Sequence, residues 1–186
     1  MKELSLNILD ITMNSVKAGA DSIYIQLSET KEKLTFSVTD NGCGMTKELL
    51  ERVADPFCTS RTTRRVGLGI PFLKLAAEQT GGFVEISSRA ECEYPKDHGT
   101  VITAHFYKNH IDCLPLGDIT STVCTLIQGS PDIDFVYKHK FENGAEVNLS
   151  TKELRKVLGE VTLDTPEVVL WIRGYLEEQY ELTLKK

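Results

Sequence analysis

The chain has 186 residues, 41% of them hydrophobic, and a formal net charge of −6. That is enough apolar material to pack a core for one large domain, or for one domain with a small partner. The acidic balance argues against a general attraction to nucleic acid or to an anionic membrane, and five cysteines with no Cys-x-x-Cys pair point to reduced thiols rather than a disulfide framework or a zinc ribbon.

Residues 3–18 carry a helical pattern. Leu4, Ile8, Ile11 and Ser15 share one face, Asn7, Asp10, Asn14 and Lys17 another, and Gly19 supplies a stop. Runs 22–27 and 33–39 alternate in polarity and are rich in Ile, Tyr, Val, Phe and Thr, which predicts two strands. After the glycine-containing turn 40–44, Thr46 caps a short helix to about Asp55, where Pro56 helps to end it. Residues 57–66 are polar and basic without an apolar period and read as a loop. A helical pattern returns over 68–80, with Pro71 tolerated in its first turn and Gly81-Gly82 at its end. Runs 83–88 and 100–107 predict two antiparallel strands joined by the polar loop 89–99.

Beyond residue 108 the character changes. A helix is predicted near 118–128, then a hairpin of 135–141 and 145–149 through Glu142-Asn143-Gly144. Ser150 and Glu153 have capping-box spacing, and Thr165-Pro166 opens a last helix to about Glu181. The expected organisation is a domain over 1–108 and a small α+β extension over 109–186 with a regulatory or partner-binding role. No segment approaches the ~18 uninterrupted apolar residues of a spanning helix, and the expectation is a soluble, cytoplasmic protein that binds neither membrane nor nucleic acid.

Three short pieces carry chemistry. In Asp40-Asn-Gly42-Cys-Gly44-Met45, a carboxylate at a strand end can accept from an exocyclic amine such as adenine's. The glycines there let backbone approach a flat ring or a phosphate chain, and an ordinary Asn-Gly turn would look the same. Asp10 and Asn14 lie one helical turn apart. An amide oxygen suits a Mg²⁺ that keeps several of its waters, and a nearby carboxylate can orient or deprotonate a nucleophile. A solvated polar helix face is the alternative. Gly67-Leu-Gly69 opens a helix behind Thr59-Ser60-Arg61 and Arg64-Arg65. Helix amides bind anions there, and a surface loop entering a helix is the alternative.

The order of the pieces separates these readings. It resembles the histidine-kinase-like (GHKL) ATPase superfamily, shared by sensor histidine kinases, MutL mismatch-repair proteins, type II topoisomerases and the ninety-kilodalton heat-shock chaperones. Leu9-Asp-Ile-Thr-Met-Asn-Ser-Val-Lys-Ala-Gly-Ala20 is similar to the N box, especially its MutL version, and Asp40–Met45 to the first glycine box. Asp55-Pro-Phe-Cys-Thr-Ser-Arg61 with Gly67-Leu-Gly-Ile70 resembles the short lid and second glycine box of histidine kinases. Gly81-Gly82 and His98-Gly99-Thr100-Val101 resemble the later glycine pair and the Gly-Thr strand.

The resemblance implies an α+β fold of the Bergerat type, a two-layer α/β sandwich with helices over one face of a mixed, mostly antiparallel sheet. It implies ATP with Mg²⁺: Asn14 on the metal, Asp40 on the adenine amine, Gly42 and Gly44 shaping the base pocket with Met45 beside it. Gly67, Leu68 and Gly69 would hold phosphates, with Lys17, Thr59, Ser60 and Ile70 also in the nucleotide site and Arg61 at the γ-phosphate. Thr100 would support adenine through water. Asp10, where many hydrolysing members carry Glu, is the catalytic candidate; its shorter side chain implies slow turnover. No Gly-x-x-x-x-Gly-Lys-Ser/Thr is present, so this is not a P-loop protein.

No helical hairpin with a phosphoacceptor histidine stands before the first helix, and His98, His105, His110 and His139 read as surface or packing residues. A full histidine kinase within this chain is therefore not expected. Three functions stand open: an ATP-binding regulatory protein with slow hydrolysis and a protein partner, a serine kinase acting on a partner as in anti-sigma-factor relatives, and a nucleotide sensor without turnover. A homodimer is a further expectation. Cys43 and Cys58 read as packing residues with redox sensing as the alternative, and Trp171 with the Leu/Val pattern of the last helix reads as core with a partner surface as the alternative.

Overall fold

A computed structural model of the chain describes residues 2–53 and 69–184. Helix α1 (Leu4–Lys17) forms on the predicted stripe, burying Leu4, Ile8, Ile11 and Ser15. Its first amides are satisfied from afar, Leu4 and Ser5 N–H donating to the Pro115 and Leu116 carbonyls at 2.9 and 2.8 Å. Strands β1 (Ser22–Glu29) and β2 (Lys33–Asp40) pair antiparallel, each burying alternate side chains. Helices α2 (Lys47–Val53) and α3 (Gly69–Gln79) follow, then β3 (Phe83–Arg89) and β4 (Gly99–Tyr107), antiparallel as predicted.

Next come α4 (Ile119–Gly129), β5 (Asp134–Lys140) and β6 (Glu146–Ser150). Asp118 caps α4 by accepting from Ser121 N–H at 2.8 Å. The chain ends in α5 (Thr151–Leu158) and α6 (Pro166–Leu184). Ser150 caps α5 by accepting from Glu153 N–H, as the spacing predicts. No helix among the described residues is long and apolar enough to cross a membrane.

The strands form one six-stranded sheet, ordered β3-β4-β2-β1-β5-β6. Within it β1 and β5 run parallel and the other neighbours antiparallel, the mixed sheet predicted. Ile25, Phe36, Ala104 and Tyr137 turn to the face that packs against the helices. The sheet continues past residue 108: β5 pairs with β1, and Phe135 and Tyr137 join the same apolar cluster as Ile8 and Phe36. Helix α4 packs on α1, and α6 on α4 and β6.

Two residues differ from the periodicity reading. Asn7, read with the polar face of α1, is buried, as is Thr12. Helix α1 is covered by α4 as well as by the sheet, and a one-sided helical pattern does not register a second neighbour. Trp171, read as core, is 54% exposed and stacks on Tyr175 with ring centroids 5.4 Å apart. Val168, Ile172 and Leu176 form the buried stripe of α6 instead.

At the end of β1 remote from Asp40, a polar chain that runs from the surface to buried His139 ties the C-terminal helix to the sheet. Lys108 Nζ donates to Glu29 Oε2 at 2.5 Å, and Glu29 Oε1 meets His139 Nε2 at 3.2 Å. His139, fully buried, meets the Tyr180 hydroxyl through Nδ1 at 3.0 Å, and that hydroxyl meets Tyr137's at 2.5 Å. The bonds from His139 and Lys108 outweigh burial and hold the Glu29 carboxyl at about 2. A carboxyl depressed in the folded state stabilises it above the ordinary value of 4.5 and loses that contribution as pH falls toward 2. Glu29→Gln is expected to lower stability at neutral pH by roughly 2–3 kcal/mol. Urea unfolding across the acid range checks this: the gap from wild type should close between pH 4.5 and about 2, and a gap independent of pH would contradict it.

Candidate functional site

Asp40 ends β2 directly opposite Thr100 on β4, and Thr100 stands opposite Ser88 on β3. Strand register therefore sets three polar side chains in a row at one end of the sheet. Ser15, on the buried face of α1, donates its hydroxyl to Asp40 Oδ2 at 2.6 Å. Gly42 and Thr100 N–H donate to Oδ1 at 2.9 and 3.3 Å. Ser88 Oγ donates to the Gly99 carbonyl at 3.0 Å and accepts from Met45 N–H at 2.8 Å. Its only proton being used, Thr100 Oγ1 is the donor in their 2.8 Å contact.

The turn after Asp40 is held on both sides. Cys43 N–H donates to the Ala18 carbonyl, and Glu91 N–H to the Cys43 carbonyl, each at 2.9 Å. His98 Nδ1 bonds the Gly42 carbonyl at 2.7 Å. A Cβ on Gly42 would stand 2.9 Å from Ala18, too close for either backbone to stay put. Gly44 has φ +62°, and a Cβ there would overlap the Arg89 carbonyl. A cavity of about 260 Å³ adjoins the row, lined in part by Asp40, Ser88, Arg89, His98 and Thr100. A smaller one of about 180 Å³ lies between Leu50, Ile70, Lys74, Val84 and Ile86.

The polar face of α1 meets the start of α3. A Cβ on Gly69 would stand 3.4 Å from Asp10 Cβ and 3.8 Å from Asn14 Nδ2. Asp10 and Lys17 are exposed, Asn14 and Met45 half-buried, and Ile70 lies in the core. Two groups predicted from separate stretches thus converge, Asp10 and Asn14 with Gly69, and Asp40 with Gly42, Met45 and Thr100. Ser15, next to Asn14 in sequence, joins them. Thr59, Ser60, Arg61, Gly67 and Leu68 lie outside the described residues, with the loop read at 57–66 and Cys58.

Sequence reasoning missed Ser15, Ser88 and His98. Ser15 carried a signal, being a hydroxyl at the end of an otherwise apolar stripe. Ser88 carried none, since its partners are set by strand pairing; His98 lies in the His98–Val101 motif, but its bond to the Gly42 carbonyl depends on the return of a loop. A larger groove of about 370 Å³, lined by residues such as Tyr24, Val136, Trp171 and Tyr175, touches none of the predicted site residues.

Residues 1–110 match the family described as histidine kinase-, DNA gyrase B- and HSP90-like ATPase. The tetrathionate sensor histidine kinase TtrS of Salmonella typhimurium is 29% identical over 99 residues, 53% of this chain and 16% of that protein. Sporulation kinase D of Bacillus subtilis is 31% identical over 88 residues, 47% of this chain and 17% of the kinase. The chain thus spans less than a fifth of these relatives' length. Among solved structures, the Aquifex aeolicus MutL ATPase domain complexed with ADP aligns with a TM-score of 0.56 at 15% identity, over 85% of this chain and 69% of that one.

Gly44→Ala is expected to destabilise the fold by roughly 1–3 kcal/mol, since both the positive φ and the Arg89 carbonyl oppose a Cβ. Gly174→Ala, in a helix with open space around it, is expected to stabilise by up to ~1 kcal/mol. Parallel denaturant titrations check both, and a neutral Gly44→Ala would contradict the packing of the turn.

Proposed function

The chain belongs to the histidine kinase-, DNA gyrase B- and HSP90-like ATPase family, and on that premise we propose that it is a Mg-ATP-binding regulatory protein with slow ATP hydrolysis. The observation that carries this reading is the fixed Asp40 carboxylate. Three donors, from Ser15, Gly42 and Thr100, occupy three of its roughly four acceptor positions. The remaining position, on Oδ2, suits the exocyclic amine of adenine. Gly42 and Gly44, packed on Ala18 and on the Arg89 carbonyl, shape the turn beside the base, Met45 borders it, and Thr100 supports it through water.

The phosphates would run toward Asn14 and the first amides of α3 at Gly69 and Ile70, with Lys17 adding positive charge from the end of α1. Thr59, Ser60, Arg61, Gly67 and Leu68 are proposed to complete the phosphate end. The fit of Mg²⁺ rests on Asn14, a half-buried amide facing Gly69. Bound there, Mg²⁺ would neutralise phosphate charge, using one protein oxygen and otherwise phosphates and water, which is its usual preference. Asp10, one turn from Asn14 and exposed, is proposed to orient the attacking water and accept its proton. A carboxyl one methylene shorter than Glu reaches less far, which is why turnover is proposed to be slow.

Residues 109–186 are proposed to transmit the state of this site to a protein partner, in a cytoplasmic setting and with homodimerisation as one route. The support is mechanical: the 115–116 carbonyls cap α1, and α4 packs along it.

Asn14→Ala and Asp40→Asn are each expected to weaken Mg-ATP binding by about tenfold or more. Unchanged titrations for both would sink the site assignment. Asp10→Asn should leave binding intact and reduce release of labelled γ-phosphate, and equal release would remove Asp10 from the mechanism. In the same assay, label on a co-purified partner would mark a serine kinase, and tight binding without release or transfer a sensor.

A further inference from the structure

The turn that follows Asp40 carries an exposed thiol, Cys43, and a second exposed thiol, Cys92, lies on the adjoining segment. Three observations bring the segments together. Glu91 N–H donates to the Cys43 carbonyl at 2.9 Å, and Met45 N–H to Ser88 Oγ at 2.8 Å. Gly44 packs directly on the Arg89–Ala90 backbone. Cys92 is a single Cα step of ~3.8 Å beyond Glu91. It sits in a tight turn closed by Glu93 and Tyr94 N–H on the Ala90 carbonyl, at 3.0 and 2.8 Å. A disulfide needs Cα atoms about 4.4–6.8 Å apart, and one hydrogen bond with one residue step keeps the Cys43 and Cys92 Cα atoms within about 10 Å, a range that includes that span. Residues 91–97 are all exposed, so a small oxidant has access. The other two described cysteines, Cys113 and Cys124, are less accessible, and burial pushes their thiols up, away from the reactive thiolate.

We propose that Cys43 and Cys92 form a reversible disulfide under hydrogen peroxide, a redox switch that fastens the Asp40–Met45 turn to the β3–β4 loop. One thiolate attacks peroxide, forming an S–O bond and breaking O–O; the hydroxide released takes up a proton and leaves as water. The second thiolate attacks the resulting sulfenic sulfur, forming S–S and breaking S–O, and a second water leaves. The two cysteines give up two electrons, and one peroxide becomes two waters. Pulling the turn toward the β3–β4 loop shifts the Gly42 amide, one of the donors that fix Asp40, so the oxidised chain binds ATP more weakly. That consequence rests on the nucleotide reading above, whereas the disulfide itself does not.

The test treats the full chain with hydrogen peroxide, blocks remaining thiols, and maps peptides by mass spectrometry with and without dithiothreitol. The expected result is a Cys43–Cys92 cross-linked peptide, absent after reduction and in Cys43→Ser and Cys92→Ser. No such peptide, or Cys43 joined to Cys58 instead, would overturn the proposal. ATP titration is expected to weaken by roughly threefold or more on oxidation and to recover with dithiothreitol, with Cys92→Ser unaffected by peroxide. An equal loss in Cys92→Ser would also overturn the switch. Failure of the reduced chain to bind ATP would count against the nucleotide reading alone, since the peptide map decides the disulfide separately.

Discussion

The hydrogen bond from Ser15 to Asp40, 2.6 Å long, is the contact on which the rest of the site depends. It joins a helix to a sheet through a charge that also receives the Gly42 and Thr100 amides. Charge-assisted bonds of this kind are short and strong, and a carboxylate with three donors has little freedom to rotate. The donors come from α1, the turn and β4, so the bonds that fix the carboxylate also fix the geometry among those elements. In the proposed role of binding the base, a carboxylate held this way has already spent its conformational entropy before the ligand arrives.

The position of α1 extends that constraint across the molecule. On one side it bears Asp10, Asn14 and Ser15, facing α3 and the Asp40 turn. On another it packs against α4, and its N-terminus is closed by the carbonyls of Pro115 and Leu116. A shift in the C-terminal half would be felt by the helix that carries three of the site's polar residues. At the far end of β1, the Lys108–Glu29–His139–Tyr180 chain anchors α6 to the same sheet, so the C-terminal half is tied both to α1 and to β1.

Much of this was legible in the residues and some was not. The alternation in 22–27 and 33–39 and the stripe of Leu4, Ile8 and Ile11 announce their elements, because one face of each meets a core. Ser150 and Glu153 announce a cap because the interaction is local. The row Asp40–Thr100–Ser88 was only half legible. The glycine spacing marks Asp40 and the resemblance marks Thr100, but the register that opposes Ser88 to Thr100 joins strands by long-range pairing, which no period encodes. The parallel pairing of β5 with β1 is hidden for the same reason: 135–141 reads as a hairpin arm, and its second neighbour lies more than a hundred residues away. Asn7 and Trp171 went astray in opposite directions, one buried on a helix that α3 and α4 cover besides the sheet, the other exposed and stacked on Tyr175 of its own helix.

The claim that Asp40 reads the base is tested most directly by equilibrium titration of the unmodified chain with ATP and with GTP in the presence of Mg²⁺. A carboxylate accepts from the 6-amino group of adenine and repels the 6-oxo group of guanine, so ATP is predicted to bind about tenfold tighter or more. Equal affinity for the two nucleotides, or no binding of either, would contradict the account.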